Sequence, residues 1–206
     1  MSRESRYAER PVIDVSRLPH TGFGASSLVW WGTFGLIAIE GTMFAILIAT
    51  YFYLRTRVND WPPGINNPKL LPGTINLLIF ILSGFPNQWI KKVAQKLDLR
   101  ATRIGLLIIS AVAIVNLLIR VFEFPALQCW WDSNAYGSVV WTLLGLHTLH
   151  LFTDSFDTWV LTVLMFIGPV QRKRFMDASE NSDYWWFVVL TWIPIYLVIY
   201  WAPRWL

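Results

Sequence analysis

Two histidines and two aspartates interrupt an otherwise apolar run in the second half of the chain, GLHTLHLFTDSFD (145–157). The intervals between His147, His150, Asp154 and Asp157 place all four on one face of an α-helix. Imidazole and carboxylate groups bind metal ions, relay protons, or hydrogen-bond to a neighbouring helix. A metal site needs three or four converging ligands, so one helix with this pattern is a weak metal signal. We expect a polar network between helices, and a proton pathway stays open as an alternative.

Redox centres are also poorly supported by the sequence. A di-iron bundle needs a Glu-x-x-His motif on each of two helices, and this chain lacks that pattern. A bis-His haem usually takes ligands from separate helices, whereas His20 precedes the apolar runs and the other two histidines share one run. Cys129 is the only cysteine, which excludes an internal disulfide and a cysteine metal cluster. We therefore predict no metal and no cofactor bound by this chain.

The elements that must position these residues are long and apolar. Of the 206 residues 55% are hydrophobic and 15% charged, and the mean hydropathy is +0.45, which is not the composition of a soluble globular protein. A membrane span needs about 20 apolar residues. Short polar segments separate the apolar runs, so neighbouring spans should run antiparallel. We predict an all-α integral membrane bundle (27–206) after a polar tail (1–26), with five transmembrane helices near 27–55, 73–91, 102–124, 136–168 and 183–203.

The distribution of positive charge predicts the orientation of the bundle. Most of the 17 Lys and Arg residues fall on one side of the predicted spans. They are Arg3, Arg6, Arg10, Arg17, Lys91, Lys92, Lys96, Arg100, Arg103, Arg172, Lys173 and Arg174. The positive-inside rule then places the N-terminus in the cytoplasm and the C-terminus in the periplasm. Lys91, Lys92, Arg172 and Lys173 are candidates for binding anionic lipid headgroups, and we expect no nucleic-acid partner.

Three further charged residues lie within or at the end of apolar runs. Glu40 is in the middle of the first span, where an ionisable group costs about 2.5–3.5 kcal/mol. Its carboxyl could handle protons or could be a neutral hydrogen-bonding group, and a histidine of the fourth span is within reach across the bundle. Arg120 and Glu123, three residues apart near the outer end of the third span, are assigned to the same intramembrane polar network, and a snorkelling pair at the membrane interface is the simpler alternative.

Four segments, in order along the chain, resemble subunit III of the haem–copper oxidases, the cytochrome c oxidase and quinol oxidase family. They are WWGTFGLIAIEGTMFAILIATYFYLR (30–55), WPPGI (61–65), GLHTLHL (145–151) and YWWFVVLTWIPIYLVIYW (184–201). The resemblance covers nearly the whole chain from about residue 27. It matches the shorter, five-helix form of the family, which lacks the first two helices of the seven-helix form.

The resemblance implies a non-catalytic membrane subunit. Subunit III binds the flank of catalytic subunit I in a complex with subunit II, and haem and copper belong to those partners. Its helices form a cleft that holds phospholipid, and it stabilises the oxidase and supports proton uptake during aerobic respiration. Glu40 falls on the family's carbodiimide-reactive glutamate. The five-helix form and the basic tail further imply a bacterial inner membrane.

Several positions depart from the family pattern. Arg120 replaces an acid, Asp154 replaces a glycine, and Trp186 and Val189 replace a histidine and an aspartate in the last helix. We interpret these changes as a rebuilt polar seam with no obvious partner for Asp154. They also keep open an alternative complex, a nitric oxide reductase with a subunit III-like accessory protein. A transporter or channel is less well supported, because neither an internal repeat nor a broken helix is evident.

Overall fold

The computed structural model describes residues 22–167 and 169–205. Within that part of the chain the fold is all-helical, with no β-strand. The five long helices are α1 (Leu28–Arg55), α2 (Leu70–Gln95), α3 (Leu99–Ala126), α4 (Ala135–Phe166) and α5 (Arg172–Tyr196). A five-residue π-helical segment (Leu197–Trp201) and the short helix α6 (Ala202–Trp205) continue α5 to the end of the described chain. The all-helical prediction is therefore confirmed. His20 and the four tail arginines lie outside the described residues.

Four stretches are long and apolar enough to cross a membrane: Leu28–Arg55, Leu70–Gln95, Leu99–Ala126 and Arg172–Trp205. Helix α4 is not among them, because its histidines and aspartates lower its hydropathy. At 32 residues α4 is nevertheless long enough to span a bilayer. Five transmembrane helices therefore stay a prediction, as does the orientation of the termini.

The last long helix begins much earlier than the apolar run suggested. We expected a polar connection up to residue 182, yet α5 begins at Arg172 and includes the sequence RKRFMDASENSD. The reason is its apolar spacing, since Phe175, Met176 and Ala178 are buried against the bundle while the charged residues Arg172 and Lys173 point outward. A helix with one buried stripe is stable even where its mean hydropathy is low.

Short polar caps fix where the helices begin. The Ser27 hydroxyl accepts from the Trp30 amide (3.4 Å), Asp98 accepts from the Ala101 amide (3.1 Å), and Asn134 accepts from the Gly137 amide (2.8 Å). Each of these side chains satisfies an amide that has no partner inside its own helix.

The core lies between α2, α3, α4 and α5. Helix α2 packs most extensively against α3 and α5, whereas α1 lies against α4 and α5 with most of its surface exposed. Trp185 and Trp192 are fully buried in the centre of the bundle, so these two rings are core residues. Trp130 and Trp131 are exposed in the α3–α4 connection. The loose packing of α1 leaves a cleft that matters for the site below.

Candidate functional site

The four polar residues of α4 differ in burial, and its two histidines face different partners. His147 and Asp154 are buried, His150 is half-buried, and Asp157 is exposed. His147 faces α3 and α5, whereas His150 faces Glu40 on α1. The seam is therefore divided into two clusters, which we call the glutamate cluster and the arginine cluster.

The glutamate cluster consists of Glu40, His150 and Tyr184. The Tyr184 hydroxyl donates to Glu40 Oε2 at 2.6 Å, and His150 Nε2 lies 3.5 Å from Glu40 Oε1. His150 Nδ1 lies 2.6 Å from the Leu146 carbonyl oxygen, which only accepts, so Nδ1 carries a hydrogen. Nε2 is then the ring atom free to exchange a proton.

The arginine cluster joins four helices through Arg120 and Glu123. Arg120 Nη1 donates to Glu123 Oε2 at 2.6 Å, and Arg120 Nη2 donates to His147 Nδ1 at 2.8 Å. Asn76 donates to Glu123 Oε2 at 3.0 Å, and the Tyr200 hydroxyl donates to Glu123 Oε1 at 2.8 Å. The guanidinium carbon also lies 3.8 Å from the centre of the Trp192 ring. These charge-assisted bonds tie α2, α3, α4 and the end of α5 together.

His147 is held in one tautomer by this arrangement. A guanidinium has no acceptor, so His147 Nδ1 must accept from Arg120. Its Nε2 lies 2.9 Å from the Val188 carbonyl oxygen and must donate. Both ring nitrogens are therefore occupied in the neutral form, and a second proton on the ring would break the bond to Arg120. His147 is a structural member of the seam, unlike His150.

Arg120 and Glu123 do not form the interfacial snorkelling pair that the sequence suggested. Arg120 is only 1% exposed and Glu123 is fully buried. The snorkelling alternative was wrong because α2, α4 and α5 cover this face of α3, so both side chains turn inward and toward each other. An arginine at this position is compatible with burial because Glu123 and His147 both pair with it.

Asp154 is not a partner of Arg120. Its Oδ2 atom is buried and has no hydrogen-bond partner among the described residues. Arg120 is engaged with Glu123 and His147 instead. The neighbouring Asp157, one turn further along α4, is exposed. The change from glycine to Asp154 therefore places a carboxyl group inside the protein without an internal donor for that oxygen.

A cleft of about 500 Å³ opens between α1, α4 and α5 next to the glutamate cluster. We call it the acidic cleft, because five carboxyl side chains line it: Glu40, Asp154, Asp157, Asp177 and Glu180. Glu180 is buried, and neither of its carboxyl oxygens has a hydrogen-bond partner among the described residues. Asp177 and Glu180 were missed in the sequence because they fall in the segment that was expected to be a loop.

No grouping of three or more His, Cys, Asp or Glu residues within 22–167 and 169–205 is arranged to hold a metal ion. His147 is occupied on both nitrogens, and the remaining candidates are spread along the cleft. The HxxH face of α4 is thus divided between two clusters that contain no further histidine.

The four cationic side chains proposed for lipid headgroups differ in their surroundings. Lys91 forms an ion pair with Asp183. Lys92, Arg172 and Lys173 are exposed, and the Arg172 guanidinium lies 5.7 Å from the centre of the Phe23 ring. Three of the four are therefore available to an anionic group, and headgroup binding stays a prediction.

Sequence reasoning also missed three uncharged members of the two clusters. Tyr184 lies in the YWWF segment of the last helix, and Tyr200 lies in the π-helical segment that follows α5. Asn76 is an amide in the apolar run of α2, and that isolation was the signal that could have singled it out. The tyrosines carried no such signal, because tyrosine is common at membrane interfaces.

No protein-family model matches the chain. Among curated proteins, it is 29% identical over 174 residues to cytochrome c oxidase subunit 3 of Thermostichus vulcanus, covering 80% of this chain and 83% of that protein. It is 24% identical over 189 residues to cytochrome c oxidase subunit 3 of Synechocystis sp., covering 88% of this chain and 78% of that protein. The chain is thus similar to cytochrome c oxidase subunit 3 proteins along most of its length. Together with the long apolar helices, these relatives support an integral membrane protein.

Proposed function

We propose that this chain is the subunit III of a proton-pumping haem–copper terminal oxidase. The observation that carries the proposal is the glutamate cluster. Glu40, His150 and Tyr184 come from three separate segments that resemble the family, and they meet at one contact. The similarity to subunit 3 proteins along most of the chain supports the same conclusion.

In this proposal all five long helices span the membrane, including α4. The N-terminus is cytoplasmic and the C-terminus periplasmic, in a bacterial plasma membrane. The polar residues of α4 are compatible with a span because they face other helices or the acidic cleft. The basic connections between α2 and α3 and between α4 and α5 then lie on the cytoplasmic side.

The chain carries no redox centre of its own in this proposal. Electrons from cytochrome c or a quinol reduce O₂ at haem and copper in subunits I and II. The contribution of this chain is to stabilise subunit I, to retain phospholipid, and to support proton uptake. Lys92, Arg172 and Lys173 would contribute most to headgroup binding, and Lys91 would contribute less because Asp183 already pairs with it.

Glu40 is the residue proposed to act in proton uptake. Its carboxyl group lines the acidic cleft, and its Oε1 atom lies 3.5 Å from His150 Nε2. A proton entering the cleft could therefore reach the Glu40–His150 pair without crossing the arginine cluster. Both ring nitrogens of His147 are engaged, so His147 does not extend a proton path from this pair into the arginine cluster.

Purification of the tagged chain in mild detergent, followed by an optical spectrum and metal analysis, tests the assignment. Haem and copper in a multi-span partner support the oxidase. Haem with non-haem iron and no copper would instead assign the chain to a nitric oxide reductase complex. A colourless chain that purifies alone would overturn the proposal.

Replacing Glu40 with Gln tests its role within the purified complex. We expect loss of carbodiimide incorporation into this chain and slower proton uptake during turnover. Asp60→Asn is the matched control, because Asp60 is an exposed carboxyl in the α1–α2 connection. Unchanged labelling in Glu40→Gln would show that another carboxyl group is the reactive one.

A further inference from the structure

We propose that the acidic cleft is the docking site for a lysine or arginine side chain of a neighbouring membrane subunit. This inference rests on the proposed function, which places the chain in a membrane complex, and it identifies which face meets the partner. It also states the chemistry of the contact, a basic side chain entering between α1, α4 and α5.

The charge of the cleft is the first argument. Its lining includes five carboxyl side chains and no lysine, arginine or histidine. Four basic residues lie around the cleft. His150 faces Glu40 at 3.5 Å, Lys91 pairs with Asp183, Arg174 donates to the Leu164 carbonyl oxygen at 2.7 Å, and Lys173 is exposed near Asp177. None of these four side chains is among the described residues that line the cleft, so Asp154 and Glu180 in its interior have no cationic neighbour in the lining.

Unpartnered buried carboxyl groups are the second, independent argument. Asp154 is 2% exposed and its Oδ2 atom has no partner among the described residues. Glu180 is 6% exposed, and neither of its carboxyl oxygens has a hydrogen-bond partner among the described residues. A buried polar group without a hydrogen bond is costly, and native proteins satisfy nearly all of them. Both carboxyl groups line the cleft, so a donor that enters it would satisfy them.

The depth and rim of the cleft favour a side chain on a membrane segment. The cleft extends from Asp177 near the start of α5 to Glu40, roughly 18 Å into α1 at 1.5 Å per residue. Apolar side chains at the rim are exposed, including Leu36 (47%) and Val160 (42%). A lysine or arginine at this depth in a partner helix would itself need a carboxyl partner. A lipid amine would stay nearer the membrane surface than Asp154 and Glu40.

The test uses the double variant Asp154→Asn with Glu180→Gln in the full complex. We expect about ten-fold or greater loss of this chain from the purified complex, because a partner cation loses its acids. The double variant Asp60→Asn with Asp132→Asn removes two exposed carboxyl groups outside the cleft and should leave retention unchanged.

Unfolding of the isolated chain is the second measurement, and the midpoint of unfolding should stay equal or rise in the cleft variant. A lower midpoint in step with the loss of retention would overturn the inference in favour of a purely structural role.

Cross-linking locates the docked partner directly. A thiol cross-linker on Val160→Cys should join this chain to a multi-span subunit, whereas Val121→Cys, which is 65% exposed on α3, should not. Cross-linking from Val121 alone would overturn the inference. So would a cleft variant that stays fully associated, or one that loses only a bound amine-containing phospholipid. In each of those cases the proposed function stands, whereas a wild-type chain that purifies without partners would overturn both.

Discussion

Arg120 is buried although its position near the end of an apolar run suggests a side chain at the membrane surface. Near the end of an apolar run, an arginine usually extends toward the membrane surface. Here the side chain is enclosed by four helices, with Glu123, His147 and the Trp192 ring as partners. Such a buried pair does not necessarily add stability over an apolar alternative, but breaking it leaves one charge without compensation.

Replacing Arg120 with Met should therefore be strongly destabilising. Glu123 would remain buried with Asn76 and Tyr200 but without its cation. We expect the free energy of unfolding to fall by about 3–5 kcal/mol, measured by thermal or denaturant unfolding in detergent. The double variant Arg120→Met with Glu123→Gln should recover part of this loss, because the unpaired carboxylate is then removed.

A comparison with Asp154 tests whether the arginine cluster and the acidic cleft are energetically separate. Because Arg120 pairs with Glu123 and His147, the effects of Arg120→Met and Asp154→Asn on unfolding should add within about 0.5 kcal/mol. The effects of changing Arg120 and Glu123 should not add. A strong coupling between Arg120 and Asp154 would contradict the division of the seam.

Tyr184 is predicted to hold the Glu40 carboxyl in place. The change Tyr184→Phe removes the 2.6 Å hydrogen bond to Glu40 Oε2 and leaves the ring packing intact. We expect a loss of about 0.5–1.5 kcal/mol in unfolding free energy, since a half-buried acceptor loses its donor. Tyr53→Phe is the control, because Tyr53 is exposed and its hydroxyl accepts only from Arg57 at the surface, so its loss should cost less than about 0.5 kcal/mol.

At the scale of one element, α4 carries a histidine of each cluster. Both clusters therefore depend on where α4 lies relative to its neighbouring helices. Its first turn is held by Asn134 and by a close approach to the preceding loop. A Cβ atom on Gly137 would overlap the backbone carbonyl oxygen of Trp130. That oxygen belongs to the main chain and cannot rotate away, so the loop and the start of α4 depend on a glycine here.

Gly137→Ala should displace the start of α4 and cost about 1–3 kcal/mol of unfolding free energy. Gly145→Ala is a matched control in the same helix, because nothing lies within 4 Å of its added methyl group. The control should be neutral or slightly stabilising. Thermal unfolding of both variants in one detergent compares them, and equal midpoints would contradict the proposed contact.

At the scale of the whole molecule, the orientation in the membrane can be tested with single cysteines. Burial raises the pKa of the Cys129 thiol to about 11, so this thiol should react slowly near neutral pH. The substitution Cys129→Ser removes its residual reaction with maleimide. In that background, an impermeant maleimide should label Asp132→Cys from the periplasm. Lys96→Cys, in the α2–α3 connection, should react only after the membrane is opened.

Labelling of Lys96→Cys in intact spheroplasts would contradict the proposed orientation and would place the α2–α3 connection in the periplasm. Labelling of both positions from the same side would mean that α3 does not cross the membrane. The two sites flank α3 alone, so the result does not depend on whether α4 spans.

Much of the fold follows from the sequence because hydrophobic length and periodicity are local properties. Runs of about 20 apolar residues and short polar connections predicted long antiparallel helices. The spacing of His147, His150, Asp154 and Asp157 predicted one polar face on α4. The same reasoning failed for the beginning of α5, where a low mean hydropathy concealed a buried stripe.

The tertiary structure decided which partner each polar residue meets. Periodicity assigns a residue to a face of its helix, but the neighbour of that face depends on how several helices pack at once. His147 and His150 are three residues apart, yet one contacts Arg120 on α3 and the other faces Glu40 on α1. The acidic cleft likewise exists only because α1 packs loosely against α4 and α5, which no local pattern in the chain encodes.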